Sequence, residues 1–192
     1  LTDLNLDYVL SHLKEFMLLV DSLKDWQAQH EKEYEELKTE LKDLGVIVLE
    51  NDTMVISNNG ENLSIVGVSD PSFEANVLMT DEAEIIDAYL KKLTEEDENF
   101  KVLLSHRPEL FEVYCENDID LALSGHAHGG QIRLPLMGGI IAPHQGFFPE
   151  YDGGLYIKEE TNMVVSRGIG NSLFPFRFNN RPEVVLIELQ AR

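Results

Sequence analysis

"KVLLSHRPELFEVYCENDIDLALSGHAHGG", residues 101–130, decides the fold class. It opens with a short apolar run, "KVLLSH", passes through "PELFEVYCEN", and closes on a second apolar run, "LALSGH". The outer runs read as strands and the middle segment as a helix. A strand–helix–strand unit pairs its two strands in parallel, because the helix is the crossover that parallel pairing requires. Each strand then ends in a histidine, His106 and His126. The carboxyl ends of neighbouring parallel strands share one sheet edge, where open α/β sheets build their sites. His106 and His126 are therefore expected side by side, although they stand 20 positions apart in the chain. His128 projects to the same side if the backbone stays extended across Ala127. Gly125, Gly129 and Gly130 allow a tight, exposed turn around the pair. A single histidine at a strand end more often only forms hydrogen bonds. Three converging imidazoles point to a divalent metal such as Zn, Mn or Fe.

The flanking sequence supports an α/β class with a mixed sheet. Upstream, "VIVLEN", "TMVIS" and "LSIVGVSD" read as short strands separated by turn residues, the last of them "NNGEN". A helix is expected at about 81–94, capped by Thr80, with Glu82 and Glu84 in its first turn. Downstream, "GLYIKEETNMVVS" reads as a hairpin and "EVVLIELQ" as a final strand. Residues 4–44 carry an amphipathic helical pattern that Gly45 stops. The polar stretch 25–33 is where a break into two helices would fall. The expected organisation is a helical segment, 1–44, followed by the α/β portion, 45–192.

At 192 residues the chain is long enough to bury a substantial core, and 43% of it is hydrophobic. Its net charge is −20. Residues 1–100 hold 24 acids against 7 bases, and 101–192 hold 11 against 8. Such an acidic chain is not expected to bind nucleic acid or an anionic membrane. No run approaches the length of a membrane span, and the first residues lack the pattern of a signal peptide. A cytoplasmic or membrane-peripheral protein is expected. The sequence starts at Leu1 rather than Met, as a processed product or a part of a longer protein does. The single cysteine, Cys115, excludes an internal disulfide and reads as a small core residue.

Three stretches, "LSHRPELF", "ALSGHAHGGQIRLP" and "QGFFPEYDGGLY…MVVSRGIGNSLFPFRFNNRPEVVLIEL", resemble the C-terminal half of the calcineurin-like metallophosphoesterases. The bacterial subfamily of small phosphohydrolases is the nearest match, from about Tyr34 to Leu189. The resemblance implies a sandwich of mixed β-sheets flanked by helices, and in this chain the N-terminal part reads as replaced by a long helix or helices. It also implies two metal ions (Mn, Fe or Zn) and a metal-bound hydroxide that attacks a phosphate mono- or diester. On that basis His106 and His126 would ligate one ion and His128 the other, with no side-chain nucleophile. The family's remaining ligands come from D-x-H, G-D-x-x-D and G-N-H motifs, and this sequence contains none of them. In place of the last stands "DSLKDWQAQHEKE", whose His30 reads as a solvent-facing helix residue.

Other candidates carry less. Asp70, closing "GVSD" before Pro71, reads as a turn aspartate near the cleft. Arg167 and Asn171 in "SRGIGN" are candidate substrate-binding residues, and His144 reads as a surface-loop histidine. The aromatics Phe147, Phe148, Tyr151, Phe174, Phe176 and Phe178 read as packing. The expected function is metal-dependent hydrolysis of a phosphate-ester small molecule or lipid, incomplete in this chain. The alternative is an inactive remnant acting as a structural or interaction protein. An uncovered sheet edge would favour a homodimer.

Overall fold

The computed structural model describes residues 30–58, 60–73, 81–170 and 176–190. They fall into two units, divided after Val48. In the first, residues 30–43 form helix α1, so the polar residues 30–33 are helical. Gly45, at φ +82°, ends it. The Gly45 N–H donates to Lys42 O at 2.9 Å and the Val46 N–H to Leu41 O at 2.9 Å, closing a Schellman turn as glycine allows. The amphipathic pattern before residue 30, with the 25–29 part of the polar stretch, lies outside the described residues.

The second unit is built on a six-stranded mixed sheet. Its strands are β1 (Asp52–Asn58), β2 (Glu61–Gly67), β3 (Phe100–Leu104), β4 (Leu121–Ser124), β9 (Gly154–Lys158) and β10 (Thr161–Val165). They lie in the order β1-β2-β3-β4-β10-β9. Pairing is parallel from β2 through β3 and β4 to β10, and antiparallel at both outer pairs. Between them come α2 (Glu82–Thr94), α3 (Phe111–Glu116) and two short ribbons. The ribbons are β5 (Arg133–Leu134) with β6 (Gly138–Gly139), and β7 (Ile141–Ala142) with β8 (Gly146–Phe147). The α/β class and the mixed sheet flanked by helices hold. Among the described residues there is no second large sheet. No described helix is long and apolar enough to cross a membrane.

Strand alternation sorts the sheet into two unlike faces. Val66, Leu103, Ala122 and Met163 sit in register on one face and are buried under Ile86 and Leu90 of α2 and Phe111 and Tyr114 of α3. Each such large side chain contributes roughly 1.5–3 kcal/mol by leaving water. Cys115 is half-buried against this core. The opposite face presents Phe100, Leu155 and Ile157, all exposed. The α2 cap is Asp81, whose carboxylate accepts from the Ala83 N–H at 3.1 Å, one residue after the expected Thr80.

Two expected strands do not form. Residues 46–51 make no ladder. Instead Leu49 crosses directly over Gly67, where an added Cβ would stand 2.4 Å from the Leu49 Cβ. Residues 183–190 likewise form no ladder. Val185 and Ile187 line an open groove with Phe100, Leu121, Leu155 and Val164. Those four belong to β3, β4, β9 and β10 and point from the same face. The segment therefore meets side chains on a face rather than a strand edge, and a face has no backbone groups to offer a ladder.

Candidate metal centre

β3 and β4 run parallel with Leu104 beside Leu123, and the Ser105 N–H donates to Leu123 O at 3.2 Å. Both strands therefore stop at the same level. His106 and His126 meet there edge to face, with ring centroids 4.6 Å apart. The His106 ring lies against Gly125, 3.7 Å from where a Cβ would be.

After β4 the chain turns instead of staying extended. Ala127 is helical in φ and ψ, and its N–H donates to Gly125 O at 2.7 Å. His126 (φ +62°), His128 (φ +45°) and Gln131 (φ +56°) all adopt left-handed backbone, which costs a non-glycine residue about 1–2 kcal/mol. Strain gathered in this way is typical of functional turns. Gly130 cannot be replaced without displacement, because its Cβ would stand 2.4 Å from the Gly139 Cα. The buried Asn180 clamps the turn, donating from Nδ2 to His128 O at 2.7 Å and to Gln131 O at 3.2 Å. His128 is thus held through its carbonyl. Its Nδ1 is buried and has no hydrogen-bond partner among the described residues.

The third ring beside His126 is His144, from the loop between β7 and β8. His126 Nε2 and His144 Nδ1 are 2.7 Å apart. His144 is exposed, as a surface-loop histidine should be, yet it belongs to the cluster. Its neighbour Gln145 fixes the loop, accepting from the Tyr151 N–H at 2.9 Å and donating to Tyr151 O at 3.1 Å. Nothing near residue 144 in sequence signals this contact, since its partner is 18 positions away.

Arg107 was not distinguished by its sequence context, yet it is 1% exposed and organises the acidic side of the site. Nε and Nη2 donate to the two Asp70 oxygens, each at 2.9 Å. Nη2 also donates to Glu82 at 3.0 Å and Nη1 to Glu109 Oε1 at 3.2 Å. Burial alone would raise the Asp70 carboxyl. The Arg107 and Ser72 hydrogen bonds outweigh it and hold the group at about 2. Asp70 is thus a turn aspartate, accepting from the Ser72 N–H at 3.0 Å, and also half of a buried ion pair. The buried Tyr114 hydroxyl donates to Arg107 O and lies 2.7 Å from Ser105 Oγ, bracing the His106 segment.

Burial, with the nearby His106, Arg107 and His144, lowers His126 to about 4. Desolvation also lowers His106 and His128. Rings of this kind are neutral near pH 7 and offer lone pairs. One guanidinium against three carboxylates leaves a net charge of −2 beside them. Neutral imidazoles, an unpartnered ring nitrogen and local negative charge suit a divalent cation. The residues present fit such an ion.

Arg167 packs its stem against Gly129, where an added Cβ would be 2.9 Å from its Cγ and Cδ. Its guanidinium is bound to Glu183, and the Arg167 N–H donates to the same carboxylate at 3.0 Å. Asn171 and Phe174 lie outside the described residues.

Curated proteins show what the chain resembles. The chain is 33% identical over 158 residues to phosphodiesterase YaeI of Escherichia coli, covering 78% of this chain and 49% of that one. It is 39% identical over 95 residues to the uncharacterized metallophosphoesterase YkuE of Bacillus subtilis, covering 50% and 32%. It is 32% identical over 168 residues to the uncharacterized protein YpbG of the same organism, covering 86% and 55%. No family model matches the chain. No solved structure matches it either. The chain is similar to proteins of the calcineurin-like metallophosphoesterase family. It spans about half the length of YaeI and YpbG and about a third of YkuE.

Proposed function

We propose that this chain carries the histidine part of a metal-dependent phosphoric ester hydrolase, acting on phosphate mono- or diesters. The observation that supports it is the meeting of His106 and His126 at the ends of adjacent parallel strands, their rings 4.6 Å apart. His106, His126 and His128 would hold divalent metal, with Mn, Fe and Zn all suited to imidazole. When bound, the metal supplies Lewis acidity toward the phosphoryl oxygens and an activated water. The chain's own residues do the positioning. Asn180 and the 126–131 turn set the direction of His128, and Tyr114 and Ser105 brace His106. Arg107 gathers three carboxylates that favour a cation nearby.

Arg167 is the candidate phosphate contact, because its stem lies against the His128 turn. A phosphate there must displace Glu183 from its guanidinium. The sequence lacks the D-x-H, G-D-x-x-D and G-N-H motifs that the family resemblance implies, so a complete two-ion site needs acidic ligands from elsewhere. A lipid or small-molecule phosphate ester is the substrate class, and a homodimer is one source of the further ligands.

Metal content after dialysis against Mn²⁺ or Zn²⁺, together with hydrolysis of nitrophenyl phosphate and bis(nitrophenyl) phosphate, tests this reading. Stoichiometric metal with hydrolysis that falls in His106→Ala and His128→Ala is expected. Fewer than about one ion per two chains, with neither ester hydrolysed, sinks it and favours a structural role.

A further inference from the structure

His144 and Glu109 have no place in the ligand set that the family resemblance implies, yet both face His126. One ligand atom from each of Glu109, His126 and His144 lies within 4.8 Å of the others. We propose that these three residues form a single-ion site of their own, a His₂Glu set that binds Zn²⁺. It shares His126 with the phosphoesterase site but does not require His106, His128 or ligands from outside the chain.

Four observations converge on it. Glu109 Oε2 is buried and has no hydrogen-bond partner among the described residues, while Oε1 is held by Arg107. A buried carboxylate oxygen left unpaired is costly, and a cation satisfies it directly. The surrounding Arg107 cluster retains a net charge of −2, which one divalent ion neutralises. His126 and His144 both take left-handed backbone, at φ +62° and +59°, to bring their rings together. Finally, two imidazoles and a glutamate are a known Zn²⁺ donor set, with the fourth position left to water.

The spacing requires one adjustment. His126 Nε2 and His144 Nδ1 are 2.7 Å apart, a hydrogen-bond distance between a donor and an acceptor nitrogen. Two nitrogens on one tetrahedral Zn²⁺, each about 2.0–2.1 Å from it, stand roughly 3.3 Å apart. The rings must therefore separate by roughly 0.6 Å on binding. His144 is exposed and can rotate, whereas His126 is held by the turn. In this arrangement His144 replaces a hydrogen bond to His126 with a shared ion.

Isothermal titration of the full metal-free chain with Zn²⁺, and the visible spectrum of the Co²⁺-substituted chain, test the site. The site predicts one Zn²⁺ per chain and intense Co²⁺ bands of a four-coordinate centre. His144→Ala and Glu109→Gln should each weaken Zn²⁺ at least about tenfold and weaken the bands, while His30→Ala, on α1, leaves both unchanged. Thermal melting confirms that each variant folds, and His144, being exposed, carries little packing. The proposal is overturned if His144→Ala and Glu109→Gln bind Zn²⁺ like the parent chain. If metal is then lost in His106→Ala and His128→Ala, the phosphoesterase reading stands without it. If every variant retains metal, both fail.

Discussion

Arg107 and Asp70 meet side-on in a bidentate pair, Nε to Oδ2 and Nη2 to Oδ1, each at 2.9 Å. The residues are 37 positions apart, and the pair ties the end of β2 to the segment that carries His106. The guanidinium is 1% exposed and the carboxylate 14%. Asp70→Asn removes the bidentate partner of Arg107 but leaves it Glu82 and Glu109, so the loss falls below the roughly 3–5 kcal/mol of a buried charge left wholly unpaired. The variant should be destabilised by about 1.5–3 kcal/mol in urea denaturation at pH 7, as expected for lost hydrogen bonds to a charged group. A loss below about 1 kcal/mol would show that the pair is not a structural tie.

The same pair makes a pH prediction. Asp70 titrates at about 2 in the folded chain against an ordinary 3.8. A depressed carboxyl stabilises the fold above its unfolded value, and that contribution is lost as pH falls toward the folded value. The stability difference between the parent chain and Asp70→Asn should hold steady above about pH 5 and shrink by about 2 kcal/mol on approaching pH 2. Parallel denaturation series across that range measure it, since most other carboxylates cancel in the difference.

Gly130 and Gly146 form a matched test of close packing at the site. Both have φ of +70°, but a Cβ on Gly130 meets the Gly139 Cα at 2.4 Å, while one on Gly146 meets nothing within 4 Å. Gly146→Ala should cost only the backbone strain, about 1–2 kcal/mol. Gly130→Ala should cost a further 1–3 kcal/mol or so, because backbone cannot yield as a side chain does. Equal losses in the two melting curves would contradict the close approach.

Asn180 should act on the site from a distance. Its Nδ2 donates to His128 O and Gln131 O, so Asn180→Ala leaves two carbonyls without that donor. About 1–3 kcal/mol of stability should be lost. Metal affinity should fall by about 10–100-fold where His128 is a ligand. An unchanged metal titration beside a lowered melting point would mark Asn180 as a purely structural clamp.

The βαβ unit was legible because apolar periodicity is local, and the parallel pairing followed from its crossover. The approach of His106 to His126 was legible for the same reason, since two parallel strands end on one edge. Other features were not. The extension expected across Ala127 gives way to a turn, because Asn180, 52 residues beyond His128, pulls on its carbonyl. "EVVLIELQ" has strand composition but lies against the face of the sheet rather than along an edge strand, and composition cannot report where a segment packs. Arg107 reads in sequence as an ordinary charged residue, and only Asp70, Glu82 and Glu109, brought from three segments, explain its burial.

By itself, then, the sequence determined the α/β class, the parallel core and the edge on which imidazoles gather. Those features depend on patterns spanning a few residues and on the geometry of one crossover. Tertiary structure alone decided that His144 stands against His126, and that Glu109 keeps a buried oxygen unpaired beside them. These are contacts between segments distant in the chain, set by how the ribbons and turns pack over the sheet edge, and no local pattern encodes them.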